Sequence, residues 1–376
     1  MLDRRQLLGA GASAAAVAIA SRGWAAPSDP GAGARLTALL DGFFQENLEA
    51  QPEGATELGF DKGANAALKS RLEDVSSAGM AKARSLNAEH IRKLKAIDRS
   101  RLKGMDRVNY DTVLYVEETT KPLLDLDIGG RDGFSPSCYV ISPITGAYQR
   151  VPVMLDTKHA VETAADAEAY LARLDAFATA LDSNTDRFRH DVGKGVVPPD
   201  FLLDITIGQL GALRVSADKS DLVASLDRRA RAKGLGDGYG PKAAAIYDQK
   251  VGPALDRQIA ALKAVRPSAV HDAGVWRFKD GPAFYAANLR YTTTTNMTPE
   301  EVHKMGLDQA AEIGARLDVL LRKQGLTQGT VGQRIAGLYK DPSLYYPNTD
   351  AGRAALLAGL QAKLKEVEAR LPRMFD

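Results

Sequence analysis

The sequence predicts a mainly α protein, a multi-helix array with few short strands, and three observations predict it. Apolar residues recur at the 3.6-residue period along most of the chain, strand signals do not alternate with helices, and the punctuation by Gly and Pro falls between the periodic stretches. Leu36, Leu39, Leu40, Phe43, Phe44 and Leu48 share one face of a helix that Pro52 closes. Ala167, Tyr170, Leu171, Leu174, Phe177, Ala178 and Leu181 repeat that spacing after an acidic first turn at Asp166. Further helices are expected over 79–97, 106–126, 217–232, 242–264, 299–323 and 351–371. Cys138-Tyr139-Val140-Ile141 and Val275-Trp276-Arg277-Phe278 are the segments expected as short strands. Breaks at Gly129-Gly130 with Pro136, at Gly193 to Pro199 and at Gly234 to Gly240 read as inter-helix loops. No fixed-period repeat appears, and no domain boundary is visible.

The first residues, MLDRRQLLGAGASAAAVAIASRGWAA, form a charged start, an Ala/Gly-rich apolar run from Leu7 to Ala20 and a small-residue exit. The Arg4-Arg5 pair directly before Leu7-Leu8, and the weak hydrophobicity of the run, point to a twin-arginine signal over 1–25 with cleavage near Ala25. The run is shorter than the ~18 apolar residues of a membrane-spanning helix. The remaining chain, 26–376, is therefore expected as a soluble helical domain, periplasmic or extracellular, with no membrane association after cleavage. Its partner in transit is the twin-arginine export machinery.

The full chain of 376 residues carries 49 Lys and Arg against 47 Asp and Glu. Loss of Arg4, Arg5, Arg22 and Asp3 with the signal leaves 46 of each sign, so the basic footprint of a nucleic-acid binder is missing. Cys138 is the only cysteine, which excludes an intrachain disulfide and a thiolate zinc cluster. Stability must come from burial.

The motifs that carry chemistry are sparse. Gly234 to Gly240 is glycine-dense but fits neither phosphate-binding pattern; Gly234 reads as a helix C-cap and Pro241 as a first helical residue. Thr298-Pro299-Glu300-Glu301-Val302-His303 contains one Glu-x-x-His, whereas a di-iron bundle needs two with further carboxylates. The nearest second instance is Asp156-x-x-His159. The stronger reading is a capping box, with Thr298 at the N-cap, Pro299 at N1 and Glu301 at N3. His90, His159, His190, His271 and His303 are scattered, and none belongs to an H-E-x-x-H helix able to aim two imidazoles at one ion. G-x-S-x-G is absent from 26–376, and Cys138 reads as a structural cysteine.

The stretch GVWRFKDGPAFYAANLRYTTTTNMTPEEVHKMGLDQAAEI, from Gly274 to Ile313, resembles a signature block of the exported bacterial family known as domain of unknown function 885. Trp276-Arg277, Asp280-Gly281, Phe284-Tyr285, Leu289-Arg290, Thr293 to Thr295, Thr298 to Glu301 and Gly306-Leu307 carry the likeness. Weaker landmarks are Glu53 to Gly59, Tyr170 to Leu174 and Gly195 to Pro199. The resemblance implies a fold similar to the N-terminal part of helical zinc metallopeptidases of the gluzincin type, whose His-Glu motif ends in Pro-Gly-His-His in the C-terminal part. No zinc ligand of the family maps onto this chain, so the expectation is a truncated member, inactive as written and without a cofactor of its own. Zinc, activating a water with the motif Glu as base, is expected of a full-length member. For a peptide or other amide substrate the resemblance makes Arg290 a candidate partner of a carboxylate and Tyr285 a candidate donor to an oxyanion. A surface ion pair and a core ring are their plainer roles. The alternative is a non-enzymatic helical binding or scaffold protein of the periplasm.

Overall fold

The computed structural model describes residues 30–130 and 137–375, so the twin-arginine signal expected over 1–25 lies outside the described residues. The chain divides into two compact units, Met1–Asn296 and Met297–Asp376.

The described residues of the first unit hold the helices α1 (Pro30–Ala50), α2 (Pro52–Glu57), α3 (Ser77–Lys95), α4 (Gly104–Asp125), α5 (Ala147–Thr157), α6 (Ala164–Gly193), α7 (Asp200–Leu213), α8 (Asp221–Ala232), α9 (Tyr239–Ile246), α10 (Gly252–Val265) and α11 (Gly281–Thr293). Its axis is the 30-residue α6, started by a capping box between Thr163 and Asp166. All seven members of the predicted α6 stripe are buried. They join the main core with residues of α5 and α7 to α10, among them Val151, Leu203, Leu226 and Leu255. Each large apolar side chain of this stripe contributes about 1.5–3 kcal/mol by leaving water. A second core joins Leu36, Leu40 and Phe43 of α1 to Leu94 of α3 and to Tyr110 and Val113 of α4.

Two expectations are corrected here. Val275–Arg277 is a 3-10 turn, and Cys138–Ile141 lies between isolated bridges, Gly130 with Ser137 and Ser142 with Thr145, without being a strand. Among the described residues no strand forms. Their β-branched and aromatic residues serve burial instead, Val140 and Ile141 in the main core and Phe278 against Phe284 and Cys138.

The helix expected over 242–264 is interrupted by a π-turn, Tyr247–Val251. Pro253 explains it: a residue with no N–H, whose ring crowds the carbonyl four back, pushes the local bonds to the wider spacing. Gly234 does follow the C-terminus of α8, with φ +67° and the Leu235 N–H on the Ala230 carbonyl. α9 starts at Tyr239, so Pro241 is its third residue and not its first.

The second unit holds α12 (Pro299–Lys323), α13 (Val331–Leu338) and α14 (Asp350–Glu368). α12 begins with the predicted capping box: the Glu301 N–H donates to Thr298 Oγ1 at 3.2 Å and the Thr298 N–H to Glu301 Oε2 at 2.8 Å. α12 packs on α13, and Arg334, nearly buried, holds Asp318 and donates to the Leu326 carbonyl at 3.0 Å. Much of the apolar surface is uncovered, including Ile313 and Leu320 of α12 and Leu357, Leu360, Leu364 and Val367 of α14. No described helix is long and apolar enough to cross a membrane.

Candidate functional site

Three polar centres in the first unit join segments that are far apart in sequence, and each includes at least one arginine. Arg173 of α6 is 0 % exposed. Its Nε donates to the Arg71 carbonyl at 2.9 Å, and its Nη2 to Thr56 Oγ1 at 2.7 Å and to the carbonyls of Pro52 and Leu68 at 3.2 and 3.1 Å. Nη1 donates to His159 Nδ1 at 3.0 Å. A guanidinium can only donate, so His159 must accept at Nδ1 and carry its proton on Nε2, which donates to the Asp166 carbonyl at 2.9 Å. Burial, seconded by the charges of Arg173 and Lys69, pushes the His159 imidazole down to about 4. This histidine is a neutral structural acceptor. Asp156, its partner in the sequence pattern Asp-x-x-His, is taken by Ser225 at 2.7 Å.

The second centre surrounds Asp127, which adopts a left-handed conformation, φ +51°, just after α4. Its carboxylate meets Arg84 at 2.8 Å, Arg187 at 3.1 Å, His190 at 3.4 Å and Lys194 at 3.7 Å. Burial works to raise this carboxyl, but the Arg84 hydrogen bond and the charges of Arg187 and Lys194 outweigh it and hold it below the usual range. The neighbouring Asp191 is raised instead, because burial dominates over its bonds from His190 Nδ1 at 3.0 Å and from the Gly129 N–H at 2.9 Å. Gly129 is required there: φ is +69°, and a Cβ would lie 1.8 Å from the Ser137 carbonyl oxygen.

Gly129 and Gly130 wall a cavity with Glu73, Asp74, Gly79 and Asn184. Asn184 is buried and accepts the Ala147 N–H at 2.7 Å. About 20 Å³ of water-sized space remains. That volume suits roughly one water and not a peptide side chain. His190 lies between two carboxylates, 3.4 Å from Asp127 and 3.0 Å from Asp191. Among the described residues no group of three or more His, Cys, Asp or Glu could hold a metal ion, and the residues present do not fit a zinc site.

The third centre lies in the 274–313 block. Arg277 Nη2 donates to the Val197 carbonyl at 3.1 Å and to Tyr139 Oη at 3.2 Å. Burial raises the Tyr139 phenol to about 12 and the Cys138 thiol to about 11. A thiol held there is protonated near neutrality and a poor nucleophile. Phe284 supplies the buried ring of α11, packed with Leu123, Ile128 and Phe278. Tyr285 and Arg290 are both exposed, and no ion pair reaches Arg290 among the described residues. Neither plainer role, core ring or surface ion pair, is what they adopt. Five residues apart, they stand about 140° apart around the helix and so do not share a stripe. The Arg290 carbonyl accepts Tyr115 Oη at 2.9 Å, which ties α11 to α4. Glu300 and His303 are exposed on α12.

These contacts pair the landmarks noticed separately in the sequence: Thr56 with Arg173, and Val197 with Arg277. The three centres themselves escape sequence reasoning. A buried arginine on an amphipathic helix has the same periodicity as an exposed one.

A solved structure titled "The crystal structure of the putative lipoprotein from Colwellia psychrerythraea" is similar to this chain at 21% identity with a TM-score of 0.78, which shows a shared fold. The likeness covers 90% of this chain and 60% of that one, so the chain spans less than two thirds of the length of that structure. No curated protein matches it. The family described as "Bacterial protein of unknown function (DUF885)" matches residues 52–376, which take in Thr56, Arg173, Val197, Arg277 and the whole 274–313 block, and the chain belongs to that family.

Proposed function

We propose that residues 26–376 form the N-terminal portion of an exported hydrolase of the zinc-dependent peptidase or amide-hydrolase type, and that this portion serves as its helical framework and not as its metal-binding half. The observation that carries the reading is the uncovered apolar face of α14, where Leu357, Leu360, Leu364 and Val367 are 59, 50, 60 and 55 % exposed. Exposed apolar surface of this extent marks a binding face, here for the part of the family fold that holds the metal. The longer solved relative and the lack of a fitting zinc site among the described residues support it. Export is supported by the Arg4-Arg5 signal and by the word lipoprotein in the relative's title.

The purified 376-residue chain is expected to hold no stoichiometric zinc and to show no chelator-sensitive peptidase activity, and the reading frame past codon 376 to encode a His-Glu motif. Equimolar zinc with activity lost to chelator would contradict the assignment of the metal to another segment. A stop codon at position 377 would favour the second reading, a periplasmic helical scaffold that uses the α14 face for a protein partner. Replacing Arg4 and Arg5 by Lys is expected to keep the chain in the cytoplasm.

A further inference from the structure

His90 of α3 is 1 % exposed, and each of its ring nitrogens faces a carboxylate. Nδ1 lies 2.8 Å from Glu117 Oε1 on α4, and Nε2 lies 2.7 Å from Glu46 Oε2 on α1. An ionised carboxylate only accepts, so both contacts are hydrogen bonds only when the ring carries two protons. The Phe43 ring of α1 covers the imidazole face, with centroids 3.7 Å apart and planes at 20°. The remaining charged groups turned toward this point are Lys93, 3.5 Å from Glu46, and Glu89, 3.9 Å from Lys93. Asn87 is the neutral member and donates to Glu117 Oε2 at 2.6 Å. Burial works against the charged ring, but the bonds to Glu117 and Glu46 outweigh it and raise His90 above its ordinary value of 6.5.

We propose that His90 is a proton-operated latch that fastens α1 to α3 and α4, closed in the imidazolium form and loosened when the ring gives up one of its two protons. Loss of one proton leaves a ring lone pair facing a carboxylate lone pair. Glu117 is the better anchored of the two acceptors, because Asn87 also holds it, and only 14 % of its side chain is exposed. Glu46 is 39 % exposed and is held otherwise, among the described residues, only by the part-exposed Lys93 at 3.5 Å, so the contact that opens is the one to α1. Leu36, Leu40 and Phe43 still pack on Leu94 and Tyr110, so α1 opens more often and does not detach.

Linkage makes the latch quantitative. Opening releases one proton only between 6.5, the value of the open ring, and the higher value of the closed one. In that interval the opening constant of α1 should rise about tenfold per pH unit and be flat on either side. The test is hydrogen exchange of α1 amides in the full chain from pH 5 to 10, corrected for intrinsic rates and referred to α6, beside an NMR titration of the His90 ring. The total fold-increase in α1 opening should match the measured elevation of the His90 midpoint above 6.5. His90→Gln should flatten the profile. Glu46→Gln, at a part-exposed position that leaves the core intact, should lower the His90 midpoint and end the rise at a lower pH. A His90 midpoint at or below 6.5, or α1 protection that follows α6 throughout, overturns the proposal.

Discussion

The two units of this chain use the same helical vocabulary with opposite results. In Met1–Asn296, the apolar stripe of α6 is buried on all seven predicted positions, and polar side chains as large as Arg173 and Arg187 are enclosed with their partners. In Met297–Asp376, three capped helices present Ile313, Leu320, Leu357 and Leu364 to solvent, and Leu321 is the buried large apolar side chain. Good caps and a correct period therefore set where a helix starts and which face it offers; whether that face becomes core depends on having something to pack against. Most of the stability of a helix in a protein comes from packing its apolar face and not from its own propensity.

The sharpest break in that comparison is expected in hydrogen exchange. Amides of α6 should exchange roughly a thousandfold or more slowly than those of α14, since the first require global unfolding and the second only local opening. Equal protection in the two would show that the second unit has found a covering partner, and light scattering would tell whether that partner is another copy.

Mutations of the buried polar frame come next. Arg173→Ala leaves His159, Thr56 and three carbonyls without their donor and should cost about 3–5 kcal/mol in urea unfolding. Phe177→Ala, a cavity in the main core, belongs to the same range, about 3–5 kcal/mol. A loss below 1 kcal/mol for either would mean that the α6 core is far looser than its burial indicates.

A pH effect of about 3 kcal/mol is expected from His159. Its folded value is near 4 and its ordinary one 6.5, so the unfolded chain binds the proton first. Stability from this group is complete above pH 6.5 and is lost as the pH falls toward 4. Thermal unfolding should show that loss, and His159→Gln should reduce it. His90 runs the other way, with its contribution complete below 6.5 and lost as the pH rises through its higher folded value. The smallest effect belongs to the second unit: Leu360→Ala should change stability by no more than about 0.5 kcal/mol, as at an ordinary surface position.

The polar centres explain which parts of the molecule were legible beforehand. The stripes of α1 and α6, the capping box at Thr298 and the cap at Gly234 are local devices, written in residues within a few positions of one another. The strands expected at Cys138–Ile141 and Val275–Phe278 were misread because β-branched and aromatic residues mark burial as readily as pairing, and no neighbouring strand was there to take their hydrogen bonds. Helix boundaries erred at prolines whose effect depends on their carbonyl neighbours, as Pro253 does at the π-turn.

Helical class, near-neutral charge and the family likeness are all carried by composition, period and short motifs, and need no coordinates. Tertiary structure alone decided that Arg173 reads four backbone and side-chain acceptors from a segment more than a hundred residues away, that burial lowers the His159 midpoint while two carboxylates raise that of His90, and that Tyr285 and Arg290 face water. The physical reason is that a 3.6-residue period records which face of a helix is apolar. The charge state of a buried imidazole and the partner of a buried guanidinium depend on atoms that meet only after the chain has folded.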